Sequence, residues 1–286
     1  MRLRSSRSPQ PASFHSSRSQ QPIGELLELD SEAFERVSRR QAETNRTFGE
    51  TAIELGVATD AQVRRAVESQ QAFPVLSVQD QSVDPLVVNA FYPEDPLALI
   101  ARNLRAIITA AVLANNEPVR SVGFVGLDTE TELPILVANL AVACAQAGHR
   151  TLLVDGELTF PQHHKLFRLP NRLGLSMLLS NPAPSTVIQP TAIDGLSVIT
   201  GGPPVPNAME LLDRSRLAKS IEQYCEYFNL ILVDAGAGST ALAAAFGLDA
   251  IAIILRRNFT SARDLRSLVE QAEANGQQVL GTILVN

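Results

Sequence analysis

Four predicted strand ends carry the residues of this chain that are best suited to chemistry: Gly126, Asp155, Gly201-Gly202 and Asp234. In open α/β sheets, ligands bind at the carboxyl ends of the strands. Three of these four ends have residue types that a nucleotide site uses. The pattern therefore indicates a domain built around nucleotide chemistry.

The segment after the first of these strands lacks the residues that usually bind phosphate. From Gly126 to Ile135 it reads GLDTETELPI, which is acidic and contains no lysine. A phosphate-binding loop relies on glycines for close backbone approach, on a lysine and on a hydroxyl. The surroundings predict an ATPase scaffold, whereas this loop predicts that ATP is not held there.

Strand and helix patterns alternate through the larger part of the chain, and several strands are almost continuous apolar runs. Such runs indicate strands buried on both faces. We therefore predict an α/β fold, P-loop NTPase-like, with a mostly parallel sheet and helices on both faces. The predicted strands are 120–125, 151–155, 196–200, 230–234, 250–255 and 279–285, and the predicted helices are 97–113, 135–147, 162–168, 208–227, 240–246 and 261–275.

Residues before this domain divide into three predicted parts. Residues 1–22 form a basic Ser/Arg-rich tail, interpreted as disordered, with an arm that contacts anionic lipid or protein as the alternative. Residues 23–73 form a small helical module, and residues 74–96 a proline-punctuated linker to the domain at 97–286. In the module, Thr59 is a predicted N-cap.

Glycine-glutamate pairs, Gly24-Glu25 and Gly49-Glu50, mark two similar units of the module. Such units resemble modules that bind cyclic di-GMP, but those begin with arginine, and Pro22 and Thr47 stand here. Protein docking is the preferred interpretation, and cyclic di-GMP is not expected.

Bulk composition narrows the function classes. The formal net charge of −6 argues against nucleic-acid binding outside the tail. No apolar run reaches the roughly 20 residues that a membrane span needs. Cys144 and Cys225 lack metal spacing and are interpreted as buried thiols of a reducing compartment. We therefore expect a cytoplasmic protein.

A family resemblance rests on the stretch VDGELTFPQHHKLFRLPNRLGLS at 154–176, on PNAMELL at 206–212 and on LILVD at 230–234. These segments resemble the bacterial tyrosine kinases and chain-length-determinant kinases of capsular and exopolysaccharide clusters. The resemblance covers residues 23–286. Septum-positioning and partition ATPases share the fold but not the stretch from Pro161 to Ser176.

Against that family, the phosphate loop departs at key positions. The family has glycine, any residue, glycine, lysine, serine and threonine in order; this chain has Glu130, Thr131, Glu132, Leu133, Pro134 and Ile135. Each lost charged hydrogen bond removes about 1.5–3 kcal/mol. Micromolar binding amounts to only about 8 kcal/mol. We therefore expect no ATP binding in the usual mode.

The helix behind the loop should survive these changes. Pro134 falls near its first turn, where proline is tolerated. Glu130 and Glu132 lie where a helix N-terminus favours negative charge, so we hypothesise that their carboxylates replace the missing phosphate. The alternative is an eroded surface loop.

The resemblance also assigns roles to retained carboxylates. Asp155 and Asp234 match the Walker A′ and Walker B aspartates, which the family uses for Mg²⁺ and for activating the attacking hydroxyl, and Glu157 replaces a second Walker A′ aspartate. A structural alternative is that these side chains cap turns after the strands. No metal role is expected for His163 or His164, because adjacent side chains do not converge well.

This chain has only part of the residues that the kinase family uses for assembly and for autophosphorylation. The family's glutamate-arginine-arginine pattern, used for ring assembly, reads Leu99, Arg102 and Arg105, so both arginines remain and the acid does not. No tyrosine follows Tyr227, so autophosphorylation of a tyrosine tail is not expected.

The leading hypothesis is a catalytically defective homologue of these kinases that regulates or scaffolds exopolysaccharide or capsule chain-length control and export. Its expected partner is a membrane chain-length (Wzz-type) protein or an active paralogous kinase, in a homo- or hetero-oligomer, with peripheral attachment to the inner membrane through that partner. No cofactor is predicted. The alternative is an active tyrosine kinase or ATPase that binds ATP and Mg²⁺ through an atypical loop. A partition-type scaffold is disfavoured.

Overall fold

The computed structural model divides the chain into two compact units, of which the second begins at Val75. The predicted basic tail lies outside the described residues, as does the first glycine-glutamate pair. The residues described are 27, 29–44, 46–60, 62–63, 75–77, 79–128, 132–180 and 187–285.

The N-terminal unit contains helices α1 (Ser31–Glu43) and α2 (Phe48–Glu54). Helix α1 starts where the Asp30 carboxylate accepts the Ala33 N–H. Helix α2 starts with a capping box, in which the side chain of Thr47 and that of Glu50 each accept the other's backbone N–H. The apolar faces of the unit bury a small core made of Leu27, Val37, Ala52 and Ala58.

Thr59 caps the next helix, as predicted. Its hydroxyl accepts the N–H of Gln62 at 3.2 Å, and the Gln62 side-chain oxygen accepts the N–H of Thr59 at 2.8 Å. The continuation of this helix, predicted to residue 71, lies outside the described residues from Arg64 onward.

The described part of the second unit is built on a seven-stranded sheet in the order β3-β4-β2-β5-β1-β6-β7. All neighbouring strands are parallel except β3 and β4. This confirms the predicted fold class. The strands are β1 (Ser121–Gly126), β2 (Thr151–Asp155), β3 (Ile188–Pro190), β4 (Leu196–Ile199), β5 (Leu230–Ala237), β6 (Ala250–Arg256) and β7 (Gln278–Val285).

Helices cover both faces of the sheet. Leu153 of β2 joins one hydrophobic core, whereas its neighbours Leu152 and Val154 join the other, as the alternation of side chains along a strand requires. The helices of this unit are α3 (Pro96–Thr109), α4 (Leu133–Gln146), α5 (His163–Leu166), α6 (Leu175–Ser180), α7 (Ala208–Leu212), α8 (Arg216–Ile221), α9 (Ser239–Ala245) and α10 (Ala262–Ala274). No helix among the described residues is both long and apolar enough to span a membrane.

The helix predicted over 208–227 is broken. Ser215 takes a left-handed backbone conformation, with φ 59°, between α7 and α8. Short 3₁₀ turns occupy Asp213–Ser215 and Glu222–Glu226. Continuous apolar spacing hid this break, because backbone conformation at one residue leaves no trace in periodicity.

Residues 75–96, predicted as a linker, pack into the second unit. Val83, Val87 and Ala90 are buried in the same core as α4. Hydrogen bonds hold this segment in addition to its apolar contacts. The fully buried Asn139 accepts the N–H of Asn89 through Oδ1 at 2.9 Å and donates through Nδ2 to the Leu86 carbonyl at 3.0 Å.

Replacing Asn139 with alanine should therefore destabilise the second unit. The change leaves the buried N–H of Asn89 without its partner, which costs about 1–3 kcal/mol, and also removes the part-buried bond to the Leu86 carbonyl. We expect the free energy of unfolding in urea to fall by about 2 kcal/mol or more. The same replacement at the exposed Asn103 of α3 is the control. Equal effects of the two replacements would contradict this account of the segment.

Candidate functional site

Parallel pairing brings two predicted site residues together. Asp155 at the end of β2 lies directly opposite Asp234 of the neighbouring β5. Adjacent strands are about 4.8 Å apart. Both residues are buried. If both carboxylates were ionised at that spacing, their repulsion would be about 3 kcal/mol even at an effective dielectric constant near 20.

The Asp155 carboxylate is held by main-chain donors. Its Oδ2 accepts the N–H groups of Gln162 and His163, both at 3.0 Å. Its Oδ1 is buried and has no hydrogen-bond partner among the described residues. Burial is the main cause that raises the pKa of Asp155 to about 6; the charge of Asp234 acts in the same direction, whereas His163 and the two N–H groups act against it.

The Asp234 carboxylate is bonded at both oxygens. Its Oδ2 lies 2.9 Å from Nε2 of His163, and because a carboxylate only accepts, the ring N–H is the donor. Its Oδ1 accepts the N–H of Gly236 at 2.9 Å. Gly236 adopts φ 73°, a conformation that favours glycine.

His163 links the two aspartates and is fully buried. Burial by itself lowers the pKa of His163, but the hydrogen bond to Asp234 and the charges of both aspartates raise the pKa above its ordinary value. Its Nδ1 has no partner among the described residues. The sequence predicted no metal role for His163 and gave no sign of its contact with Asp234.

Glu157 is engaged within its own loop. Its Oε1 accepts the N–H groups of Thr159 at 2.9 Å and Phe160 at 3.3 Å, and its other carboxylate oxygen lies against Gly236. These are the contacts of a turn-capping carboxylate, the structural alternative given above. Asp155 also accepts loop N–H groups, so capping accounts for contacts of both acids.

The described ends of the predicted phosphate loop are Leu127-Asp128 and Glu132; Glu130 lies outside the described residues. Glu132 is exposed, and its side chain makes no capping hydrogen bond at the start of α4. Glu132 thus gives no support to the hypothesis that the two carboxylates replace a phosphate at this helix, and because Glu130 lies outside the described residues the hypothesis stays a prediction.

Apolar residues form the start of α4. Leu133 is only 2% exposed and belongs to a hydrophobic core together with Leu136 and Val137. Pro134 occupies the first turn, as predicted, and the half-buried Ile135 packs against the same core. The beginning of the helix is thus fixed by packing.

The predicted assembly residues lie on helix α3, which precedes the first strand of the sheet. Arg102 and Arg105 are half-buried there, and each has an interaction partner within the chain. Leu99, one turn earlier, is exposed. The structure leaves their predicted role in assembly as a prediction.

Comparison with curated proteins finds bacterial tyrosine kinases. The chain is 32% identical to the putative tyrosine-protein kinase CapB of Staphylococcus aureus over 161 residues, which are 56% of this chain and 69% of that protein. It is 26% identical to the tyrosine-protein kinase Etk of Escherichia coli over 67% of this chain, but only 27% of Etk is covered. The match thus spans about two thirds of CapB but only about a quarter of Etk. No protein-family model matches the chain.

Solved structures agree with the fold. The crystal structure of the chimerical protein CapA2B2 matches with a TM-score of 0.60 at 29% identity, covering 77% of this chain and 97% of that one. The kinase domain of E. coli Etk matches with a TM-score of 0.61 at 24% identity, covering 73% and 83%. The septum site-determining protein MinD of Pyrococcus horikoshii shares the fold at a TM-score of 0.52 and 22% identity, covering 58% and 69%.

The aspartate cluster should make the second unit less stable as the pH rises. Folded Asp155 keeps its proton to about pH 6, whereas its ordinary pKa is 3.8, so the folded state binds more protons in this window. The free energy of unfolding therefore decreases as the pH rises through it. At about 1.4 kcal/mol per pKa unit, the full effect is about 3 kcal/mol. His163, whose pKa is also raised, extends the decline to higher pH.

Urea unfolding between about pH 4 and pH 7 measures this slope. Asp155→Asn should flatten it, because the amide does not titrate but can still accept the two N–H groups. Glu210→Gln, at an exposed carboxylate of α7, is the control and should keep the wild-type slope. A slope that Asp155→Asn leaves unchanged would show that the proton binds elsewhere.

Proposed function

Because the chain belongs to the family of bacterial tyrosine-protein kinases, we propose that it is a catalytically defective member of that family. We assign it a regulatory or scaffolding role in capsule or exopolysaccharide chain-length control and export. Its proposed partner is a membrane chain-length protein or an active paralogous kinase. The chain covers 69% of CapB but only 27% of Etk, so activity and partners are carried to this chain only as a proposal.

The burial of Leu133 is the observation that carries the proposal. Leu133 stands where the family has the lysine that reaches the phosphates, and its side chain packs into the core. A lysine is needed there as a donor to phosphate oxygens. A leucine offers no donor, and its direction into the core supports a loop start that serves packing.

The other ligand positions also fit magnesium-ATP poorly. Pro134, at the place of the hydroxyl that would hold Mg²⁺, has neither a hydroxyl nor a backbone N–H. Both oxygens of Asp234 are already bonded, to His163 and to Gly236. The exposed Glu132 adds negative charge near the start of α4, which disfavours a polyphosphate.

A titration of the full chain with ATP and Mg²⁺ tests the loss of nucleotide chemistry. We expect no saturable heat up to about millimolar ATP. A dissociation constant of that size corresponds to a binding free energy of only about 4 kcal/mol, which is the most that the remaining contacts should supply. Micromolar affinity that Asp234→Asn abolishes would instead support the alternative, an active kinase or ATPase with an atypical loop. Micromolar affinity that Asp234→Asn leaves intact would also overturn the defective-enzyme proposal.

The outward face of α3 supports a scaffolding role. Leu99, Ile100 and Ile107 are 44%, 48% and 61% exposed. At 100° per residue they fall on one side of the helix together with Asn103 and Ala106. Apolar side chains that are exposed together on one face of a helix are a common feature of protein contact sites. The family resemblance assigns assembly to the same helix.

Ile107→Asp should therefore weaken assembly. A charge in an apolar contact must be desolvated without a partner, so we expect self-association, or binding to an active kinase of the same organism, to weaken about tenfold or more. Light scattering after size-exclusion chromatography measures it. Met209→Asp, at a similarly exposed apolar residue of α7, is the matched control. If both variants behave like wild type in every mixture, α3 is not the contact surface.

A further inference from the structure

We infer that His163 takes the place of a divalent cation between Asp155 and Asp234, so that removing its ring would open a cation site. The inference rests on the proposed loss of nucleotide chemistry in one respect: it describes what now fills the same strand ends. It concerns the cation alone, and its test contains no nucleotide.

The two carboxylates are suitably placed to share a cation. They extend from directly paired positions on neighbouring strands. Carboxylate oxygens are the protein ligands that Mg²⁺ and Mn²⁺ prefer, and Mg²⁺ is commonly bound by one or two carboxylates with water completing the shell. The geometry of the strands therefore supplies a usual protein contribution to such a site.

The His163 ring occupies the space beside Asp234 and bonds the carboxylate oxygen that a cation would need. The ring is fully buried, and its Nε2 lies 2.9 Å from Asp234 Oδ2. Cutting the side chain back to a methyl group frees that oxygen and leaves space for water beside it. Asp155 contributes a second oxygen, Oδ1, which is buried and without a partner in the described part of the chain.

The backbone around the ring does not depend on the imidazole. The N–H groups of Gln162 and His163 hold Asp155 Oδ2 through the main chain, and Gly236 holds Asp234 Oδ1 through its own N–H. These bonds persist when the side chain at position 163 changes. The two carboxylates should therefore keep their positions in His163→Ala, now with no donor between them.

The test compares Mn²⁺ binding by calorimetry in the absence of nucleotide. We expect His163→Ala to bind one Mn²⁺ per chain at least about tenfold more tightly than wild type, and His163→Ala/Asp234→Asn to lose that gain. His164→Ala is the control: the neighbouring histidine is only half-buried, and the same loss of a ring there should add no site.

Thermal unfolding provides a readout even if His163→Ala folds poorly. Mn²⁺ or Mg²⁺ at about 10 mM should raise the melting temperature of His163→Ala more than that of wild type, because a ligand of the folded state stabilises it by mass action. The inference is overturned if wild type binds Mn²⁺ as tightly as the variant, if the folded variant gains no affinity, or if a destabilised variant is not rescued by the cation. ATP binding by wild type would contradict the proposed function and leave this comparison intact.

Discussion

Two carboxylates forced together at the ends of neighbouring strands are the constraint around which the site is organised. Parallel pairing of β2 with β5 sets Asp155 opposite Asp234 in a buried position. Buried charges must be paired, bonded or protonated. The loop after β2 meets this requirement by turning back, so that the main chain at Gln162 and the ring of His163 reach the two acids. The direction of the loop and the identity of its histidine follow from one electrostatic demand.

The fold and the start of α4 agree with the kinase family to different degrees. The sheet order, the helices on both faces and the aspartates at the strand ends are those expected for the kinase family. The start of α4, in contrast, is formed by Leu133 and Pro134, which contribute packing and a fixed backbone angle. Stability of a domain depends on its core, whereas phosphate binding depends on a few residues of one loop. The latter can change while the former is preserved.

The sequence predicted the elements that have strong periodicity and missed those fixed by single contacts. Six of the seven described strands were predicted, the five inner ones because buried parallel strands are continuous apolar runs, and the Thr59 cap was predicted because its residue types are specific. The short β3 (Ile188–Pro190) has three partly exposed residues and gives no such signal. The packing of residues 75–96 depends on the hydrogen bonds of Asn139, fifty residues away in the chain from Asn89. At the site, the two aspartates were identified, but the contact of His163 with Asp234 requires a tertiary turn that periodicity does not encode.

The burial of Leu133 has an evolutionary consequence. A lysine placed at this position by a single substitution would enter a hydrophobic core, where an unpaired ammonium group is strongly disfavoured. Restoring a phosphate loop would also require the proline and the acidic residues beside it to change. Each intermediate would lose stability before any ligand could compensate for it. Stability of the core therefore opposes each single substitution toward a phosphate loop at this helix start.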